Sequence, residues 1–256
     1  MLALLTVLTL GLPQPPGPRP AEVLLTFDDG PDLAFSAQIA ELIEDYGGRA
    51  VFFVNGARLS GPGPDALARR ALLRVLHERG HLIGNHTFDH KNLCARGADV
   101  ARQIDDNERL LEALIGVRPT LFRAPYGTLC DALDRAMAAR PHLVSLGWTI
   151  DAQEWHNGAD AGNAIVEGLR RLPAGARAVV LLHDAHRATL PTLRKVLDWL
   201  GTQDRVQLLD SREVLLPFAE AAPPDVRKAV IAWLGLAART ARAWLDGLPS
   251  APVGLG

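Results

Sequence analysis

The chain has 256 residues, of which 48% are hydrophobic, and a formal net charge of −2. This length and apolar content predict one large α/β domain, or two small ones, with a substantial buried core. A charge this close to neutral provides no global field for nucleic acid or an acidic surface, so we expect no nucleic-acid partner and assign recognition to local sites.

Residues 1–21 are predicted to precede the main domain. Residues 1–12 are apolar and residues 13–20 are rich in proline, which is typical of an export signal or short anchor followed by an extended linker. The apolar run has no Lys or Arg before it, no Ala-x-Ala-like cleavage site after it, and fewer than the roughly 20 residues that span a bilayer. The alternatives are a first strand of the fold or a misassigned start codon. We expect export to the periplasm, the cell surface or the medium.

Short apolar runs alternate with longer amphipathic stretches along residues 22–216. The pattern predicts seven strands, at 23–27, 50–54, 81–84, 120–122, 143–146, 178–182 and 206–209. It predicts six helices, at 36–46, 65–78, 98–115, 129–139, 160–172 and 189–200. Because helices separate most strands, we expect a mainly parallel sheet, open or closed into a barrel. Active residues of such sheets gather at the carboxyl ends of the strands.

Residues 217–256 are predicted to form a C-terminal helical tail. After a proline-containing break at 221–224, apolar residues recur at helical spacing from Val226 to Leu245. This stripe predicts packing against the domain, and the alternative is a basic amphipathic helix lying on a membrane surface. Membrane contact through either terminus stays open, and we expect a monomer.

Two adjacent carboxylates, Asp28 and Asp29, follow the first predicted strand and precede Gly-Pro. Strand geometry points neighbouring side chains to opposite sides, so one residue is free to bind a metal while the other takes a proton. The alternative for Asp-Asp-Gly on its own is a solvated turn.

His86 and His90 are spaced i, i+4 and fall on one face if a helical turn begins at Asn85. Such a pair suits two nitrogen ligands of one metal ion. Zinc peptidases use the same spacing, but their motif requires Glu directly after the first His, and this chain has Thr87. The alternative is two surface histidines. Together with the aspartates, the pair predicts a metal-dependent hydrolase.

Further chemical groups follow later predicted strands. Arg123 is able to hold a carboxylate through two parallel hydrogen bonds, and His183 is able to donate a proton to a leaving group. Asp151 and Trp155 are placed to orient that histidine and to enclose a small apolar pocket. The alternatives are a solvated arginine and a structural histidine.

The chain contains two cysteines, Cys94 and Cys130, too few for a cysteine zinc motif. Each lies a few residues beyond one of the motifs. If the motifs converge, the cysteines are expected to form a disulfide that braces two site loops in an oxidising compartment. The alternative is two free thiols.

The motifs together resemble those of the polysaccharide deacetylases of carbohydrate esterase family 4, the NodB-homology domain. The resemblance covers residues 22–210 and rests on 26–31 (TFDDGP), 86–90 (HTFDH), 123–126 (RAPY), Asp151 with Trp155, and 181–184 (LLHD). It implies a distorted (β/α)7-type barrel and makes residues 22–216 a polysaccharide deacetylase catalytic domain.

The resemblance implies a metal centre with a base beside it. Asp29, His86 and His90 would bind a divalent ion, with zinc first and cobalt, nickel or manganese as alternatives. Asp28 would be the general base that deprotonates water, and Arg123 would tether Asp28.

The resemblance also implies an acid and a substrate pocket. His183, oriented by Asp151, would protonate the leaving group, and the backbone N–H of Tyr126 would stabilise the tetrahedral oxyanion. Leu181 and Trp155 would line the pocket for the acetyl methyl group.

Two residues stand outside this pattern. The fourth motif of the family commonly has a second Asp before the Trp, and this chain has Glu154 there. We expect Glu154 to tune the pocket wall without abolishing activity. His186, just past the fifth motif, either touches the substrate or is a surface loop residue.

The implied activity is removal of acetyl groups from N-acetylated sugars of a peptidoglycan- or chitin-like polysaccharide. Two alternatives stay open at this point. One is an O-acetyl ester hydrolase acting on an acetylated polysaccharide, and the other is a catalytically silent carbohydrate-binding relative.

Overall fold

Eight parallel strands form one curled sheet in the computed structural model, which describes residues 19–211. The strands are β1 (Ala21–Gly30), β2 (Val51–Val54), β3 (Leu82–Asn85), β4 (Leu121–Phe122), β5 (Val144–Ser145), β6 (Ile150–Asp151), β7 (Arg177–His183) and β8 (Val206–Leu208). Their order is β5-β4-β3-β2-β1-β7-β6, and β8 pairs with the start of β1. The predicted parallel α/β architecture, a distorted (β/α) barrel, is confirmed.

Eight helices connect these strands within the described part of the chain. They are α1 (Ser36–Asp45), α2 (Gly56–Leu59), α3 (Pro64–Glu78), α4 (Val100–Ile115), α5 (Asp131–Ala138), α6 (Glu154–Asn157), α7 (Ala161–Arg170) and α8 (Thr189–Leu200). β6, α2 and α6 were not predicted from the sequence, because elements of two to four residues show no periodicity. The predicted helix at 65–78 corresponds to α3, which begins one residue earlier at Pro64, with Gly63 as its N-cap.

The predicted export leader, most of the linker and the helical tail lie outside the described residues. The linker prediction extended to residue 21, but β1 already begins at Ala21. No helix between residues 19 and 211 is both long and apolar enough to cross a membrane.

Strand β1 lies at the centre of the core and is buried on both faces. Val23, Leu25 and Phe27 belong to the cluster that includes residues of the surrounding helices, whereas Leu24 packs with Phe53 on the other face of the sheet. A parallel strand covered on both sides requires a continuous apolar run instead of alternation. This explains why residues 23–27 contain only Thr26 as a polar residue.

The register of the sheet brings the motifs to one end. Asp28 in β1 lies opposite Phe53 in β2 on one side and opposite His183 in β7 on the other. Asn85, directly before the histidine motif, pairs with Phe122, directly before Arg123. The carboxyl ends of β1, β3, β4 and β7 therefore meet at one edge, as expected for a parallel sheet.

Cys94 and Cys130 form a disulfide, which confirms the predicted pairing. The bond joins the loop after His90 to the segment after Tyr126, across a sequence separation of 36 residues. It therefore braces two loops that border the motif-bearing edge.

Removing this disulfide is expected to lower the free energy of unfolding by about 2–4 kcal/mol, because the closed loop restricts the unfolded chain. Urea denaturation of the native protein and of the Cys94→Ser/Cys130→Ser variant measures the difference. A reducing agent should destabilise the native protein and leave the double variant unchanged. Equal thiol labelling of the native protein with and without prior reduction would contradict the pairing.

Candidate active site

Asp28 and Asp29 both face the same cleft, contrary to the expectation that they point to opposite sides of a strand. The pairing register shifts between Asp28 and Gly30, and Asp29 has a positive φ of 74°. A bulge of this kind redirects a side chain that regular alternation would send elsewhere. As a result, both carboxylates lie near the His86 ring, at 3.6 Å and 3.5 Å from its Nε2.

The histidine motif is an irregular loop, so the predicted helical turn from Asn85 is wrong. Thr87 and His90 adopt positive φ angles of 67° and 56°. These two left-handed residues bring the imidazoles together, with ring centroids 4.9 Å apart. Nδ1 of His86 hydrogen bonds to the carbonyl of Arg123 at 2.8 Å. That bond leaves Nε2 of His86 free to face Asp29.

Asp29, His86 and His90 form the one candidate metal cluster among residues 19–211, with ligand atoms within 4.8 Å of one another. Oδ1 of Asp29 lies 3.2 Å from Nε2 of His90. This oxygen is buried, and it has no hydrogen-bond partner among residues 19–211. Burial lowers the pKa of His90, which favours the neutral ring that binds metals. Two imidazole nitrogens and a carboxylate oxygen fit a tetrahedral divalent ion such as zinc.

Arg123 is buried and connects the motif-bearing strand ends. Its Nη1 donates to Oδ1 of Asp28 and to the hydroxyl of Thr26, both at 2.8 Å. Its Nε and Nη2 donate to the carbonyls of Leu146 and Gly147 at 2.9 and 3.0 Å. Burial lowers the pKa of Arg123 below its ordinary value, and the charge and hydrogen bond of Asp28 oppose this shift without cancelling it. The predicted contact with Asp28 is present, but through one hydrogen bond instead of two.

Two aromatic rings flank the Arg123 guanidinium. Its Cζ lies 4.2 Å from the Phe53 ring centroid and 5.6 Å from that of Trp148. Trp148 was not predicted as a site residue, but it also lines the cleft and packs against Gly127. A tryptophan just beyond a strand end was the available signal.

Glu154, and not Asp151, is the carboxylate that contacts His183. Its Oε1 lies 3.1 Å from Nδ1 of His183 and accepts the His183 backbone N–H at 2.6 Å and the Thr189 hydroxyl at 3.2 Å. Glu154 is fully buried at the start of α6, after Gln153 with φ of 49°. The expectation that Asp151 orients His183 is therefore wrong. Oδ1 of Asp151 instead accepts the backbone N–H of Gln153 at 2.9 Å.

His183 is held in its protonated form by the surrounding carboxylates. Burial alone lowers the pKa of His183. The hydrogen bond and charge of Glu154, together with the charges of Asp28 and Asp29, outweigh burial and raise the pKa to about 9. His183 is thus a proton donor at neutral pH.

An open cleft of about 590 Å³ contains these groups. Asp28, Asp29, His86, His90 and His183 lie on its wall. So do the other predicted side chains Tyr126, Asp151, Trp155 and Leu181, together with Trp148, Ala124, Ala185 and His186. Burial raises the pKa of Asp151. The Tyr126 ring, 68% exposed, lies edge-on to the His90 ring.

A second buried carboxyl, Asp184, lies beneath Gly30. The hydroxyl of Ser36 in α1 donates to Asp184, and a Cβ at Gly30 would come within 2.1 Å of the Asp184 carboxyl. Burial raises the pKa of Asp184 to about 7. Asp184 was predicted only as part of the motif at 181–184 and was given no role. Its contacts join the end of β7 to residues 30–36, which are distant in sequence.

Comparison with known proteins yields a family match and curated relatives. Residues 16–142 match the family model described as polysaccharide deacetylase. The chain is 32% identical over 187 residues to the peptidoglycan-N-acetylmuramic acid deacetylase PdaC of Bacillus subtilis, covering 73% of this chain and 37% of PdaC. It is 33% identical over 168 residues to a chitooligosaccharide deacetylase of Azorhizobium caulinodans, covering 64% of this chain and 74% of that protein. The chain therefore spans well under half of PdaC and about three quarters of the second relative.

A solved structure shares the same architecture. The family 4 carbohydrate esterase of Streptomyces lividans, in complex with acetate, superposes with a TM-score of 0.62 at 27% sequence identity. The match covers 74% of this chain and 91% of that one.

Replacing Glu154 by Gln is expected to lower the pKa of His183 by about 1–3 units, because the neighbouring negative charge is removed. Titration of the histidine ring signals by NMR in the metal-free protein measures this shift. Asp151→Asn is the matched control, since Asp151 also lines the cleft but makes no hydrogen bond to His183. A larger shift in Asp151→Asn than in Glu154→Gln would contradict the assignment of Glu154.

Proposed function

The chain belongs to the polysaccharide deacetylase family, carbohydrate esterase family 4, and from this premise we propose that it is a metal-dependent hydrolase that removes acetyl groups from N-acetylated sugars of a polysaccharide. One observation carries the proposal. A carboxylate held by an arginine, a three-residue metal cluster and a protonated histidine line a single cleft. The substrate is of the peptidoglycan or chitin type, in line with the names of the relatives.

Asp29, His86 and His90 hold the metal, and zinc is the proposed ion, with cobalt, nickel or manganese as alternatives. When bound, the ion supplies the Lewis acidity that activates water and polarises the acetyl carbonyl. The carbonyl of Arg123 fixes the His86 tautomer through Nδ1, so that Nε2 is presented as the ligand.

Asp28 is the general base that removes a proton from the attacking water. Arg123 holds Oδ1 of Asp28, while Oδ2 lies toward His86 at 3.6 Å from its Nε2. The restrained carboxylate therefore presents one oxygen to the water and the other to the guanidinium. The backbone N–H of Tyr126 donates to the developing oxyanion, and Leu181 and Trp155 enclose the acetyl methyl.

His183 is the general acid that protonates the departing amine. The pKa of about 9 keeps its proton available at neutral pH, and Glu154 orients the ring through Nδ1. Amine departure needs this proton, because an unprotonated amine anion is a poor leaving group. Asp151 and His186 also line the cleft, and each contacts the substrate from its wall.

The working compartment is proposed to be outside the cytoplasm, at the cell surface, in the periplasm or secreted. The Cys94–Cys130 disulfide supports this proposal, because such bonds persist in oxidising environments. The apolar run at residues 1–12 also supports a location outside the cytoplasm, because such a run is typical of an export signal.

Acetate release tests the function. The zinc-loaded protein is incubated with N-acetylated chitin oligomers, peptidoglycan and O-acetylated xylan, with and without a chelator. Chelator-sensitive acetate release from an N-acetylated glycan is expected. Release from acetylxylan alone would favour an O-acetyl ester hydrolase, an activity suggested by the likeness to the Streptomyces esterase. No release from any glycan, despite bound zinc, would overturn the proposal in favour of a catalytically silent carbohydrate-binding relative.

Two substitutions separate the base from the metal ligands. Asp28→Asn is expected to reduce kcat by about 10²–10⁴-fold, because the base is lost while the three ligands remain. His86→Ala should lose both zinc and turnover. Zinc content by atomic absorption, together with acetate release, distinguishes the two variants. Normal turnover in either variant would contradict the assigned roles.

His183→Asn is expected to slow amide cleavage far more than cleavage of an activated aryl acetate. An aryl oxide leaves without protonation, whereas the sugar amine requires a proton from the acid. The ratio of kcat/KM for the two substrates in the variant and the native protein measures the effect. Equal losses on both substrates would remove His183 from the acid role.

A further inference from the structure

The loop at residues 86–90 carries two of the three proposed metal ligands in an unfavourable backbone conformation. Thr87, a β-branched residue that is fully buried, has φ of 67°, and His90 has φ of 56°. Non-glycine residues stay in this region only where surrounding contacts hold them there. The geometry of the ligands therefore depends on whatever fixes this loop.

Asn107, in the middle of α4, provides the central contact. Its side chain is fully buried, and Nδ2 donates to the carbonyl of Val54 at 2.8 Å and to Oδ1 of Asn85 at 2.9 Å. Both acceptors are also bonded to the loop. Oδ1 of Asn85 accepts the backbone N–H of Thr87 at 2.9 Å, and the carbonyl of Val54 accepts that of His86 at 3.1 Å. One amide group thus fixes the acceptors for two consecutive loop residues.

Gln103, one turn earlier in α4, holds the next two residues. Its backbone carbonyl accepts the N–H of Phe88 at 2.9 Å, and its side-chain Oε1 accepts the N–H of Asp89 at 3.1 Å. Four consecutive backbone N–H groups of the loop are therefore satisfied directly by α4 or by acceptors that α4 fixes. Gly56 permits the close approach, because a Cβ there would lie 2.7 Å from both Asn107 Oδ1 and the Phe88 ring.

We propose that Asn107 and Gln103 are positioning residues that set the metal affinity of the site through the loop at residues 86–90. Neither residue belongs to the metal cluster, and neither lines the cleft. The inference rests on the proposed role of His86 and His90 as ligands. Groups that hydrogen bond directly to metal ligands typically contribute about 10–100-fold in metal affinity. Asn107 and Gln103 act through the loop backbone and not on the ligand rings, so we expect a smaller effect.

Asn107→Leu keeps the branched shape and the number of heavy atoms of the side chain and removes both donated hydrogen bonds. Val54 and Asn85 each keep their loop partner, so neither acceptor is left unsatisfied. The zinc Kd, measured by competition with a chromogenic chelator, is expected to rise by up to about 10-fold, the lower end of the effect of direct ligand partners. Gln103→Ala removes one loop contact at a partly exposed helix position that tolerates truncation, and we expect a smaller rise.

Thermal unfolding of the metal-free proteins separates positioning from general stability, and Thr192→Val is a control for the loss of a buried polar group elsewhere in the fold. Thr192 is a buried polar residue on α8, outside the metal cluster and the cleft. Thr192→Val is expected to leave the zinc Kd unchanged whatever it does to the melting temperature. A merely structural role for Asn107 would likewise move the melting temperature without moving the Kd of the folded protein.

The outcomes are distinguishable from failure of the proposed function. If the native protein binds no zinc, the metal-site proposal itself fails. If the native protein binds zinc and both α4 variants bind it with native affinity, only the positioning inference is overturned. If Asn107→Leu does not fold, Gln103→Ala decides the question, and a native zinc Kd in that variant overturns the inference.

Discussion

The buried ion pair between Arg123 and Asp28 joins the strand ends on which the site is built. A charge that is removed from water needs an oppositely charged partner and satisfied hydrogen bonds, because otherwise the free-energy cost of burying it is prohibitive. Arg123 meets this requirement with Asp28, Thr26 and the carbonyls of Leu146 and Gly147. These partners belong to β1 and to the chain that follows β5, so the guanidinium holds them at fixed separation. Arg123 therefore positions both the proposed base, Asp28, and the strand that carries it.

Backbone strain is concentrated at the motifs. Within residues 19–211, the non-glycine residues with positive φ are Asp29, Thr87, His90, Tyr126 and Gln153. Each belongs to or adjoins a motif, and each conformation costs about 1–3 kcal/mol. The buried sheet and its helices offset this cost, as α4 does for the loop at residues 86–90. The irregular backbone is what brings side chains from separate strands to one cleft.

The proposed base, Asp28, and the proposed acid, His183, are placed in opposite electrostatic surroundings. Asp28 is held by a cation, whereas His183 is held by the buried carboxylate of Glu154, which raises the pKa of the histidine. A buried carboxylate partner keeps the proton on an imidazole, which suits a group that donates one. Glu154 performs this task from a position where the family commonly has Asp. The extra methylene does not prevent contact with both Nδ1 and the backbone N–H of His183.

The amino-acid sequence by itself determined the parallel α/β architecture and the residue types of the site, because apolar runs alternating with amphipathic helices place polar motifs at one sheet edge. It also identified the ligand candidates Asp29, His86 and His90. The rules for regular strands and helices gave the wrong backbone conformation where long-range contacts determine it. Regular strand alternation and a helical turn were expected, but a bulge and left-handed residues occur. Only the tertiary structure selected Glu154 over Asp151 and decided between a Cys94–Cys130 disulfide and two free thiols, since those choices depend on distances between segments that are remote in sequence.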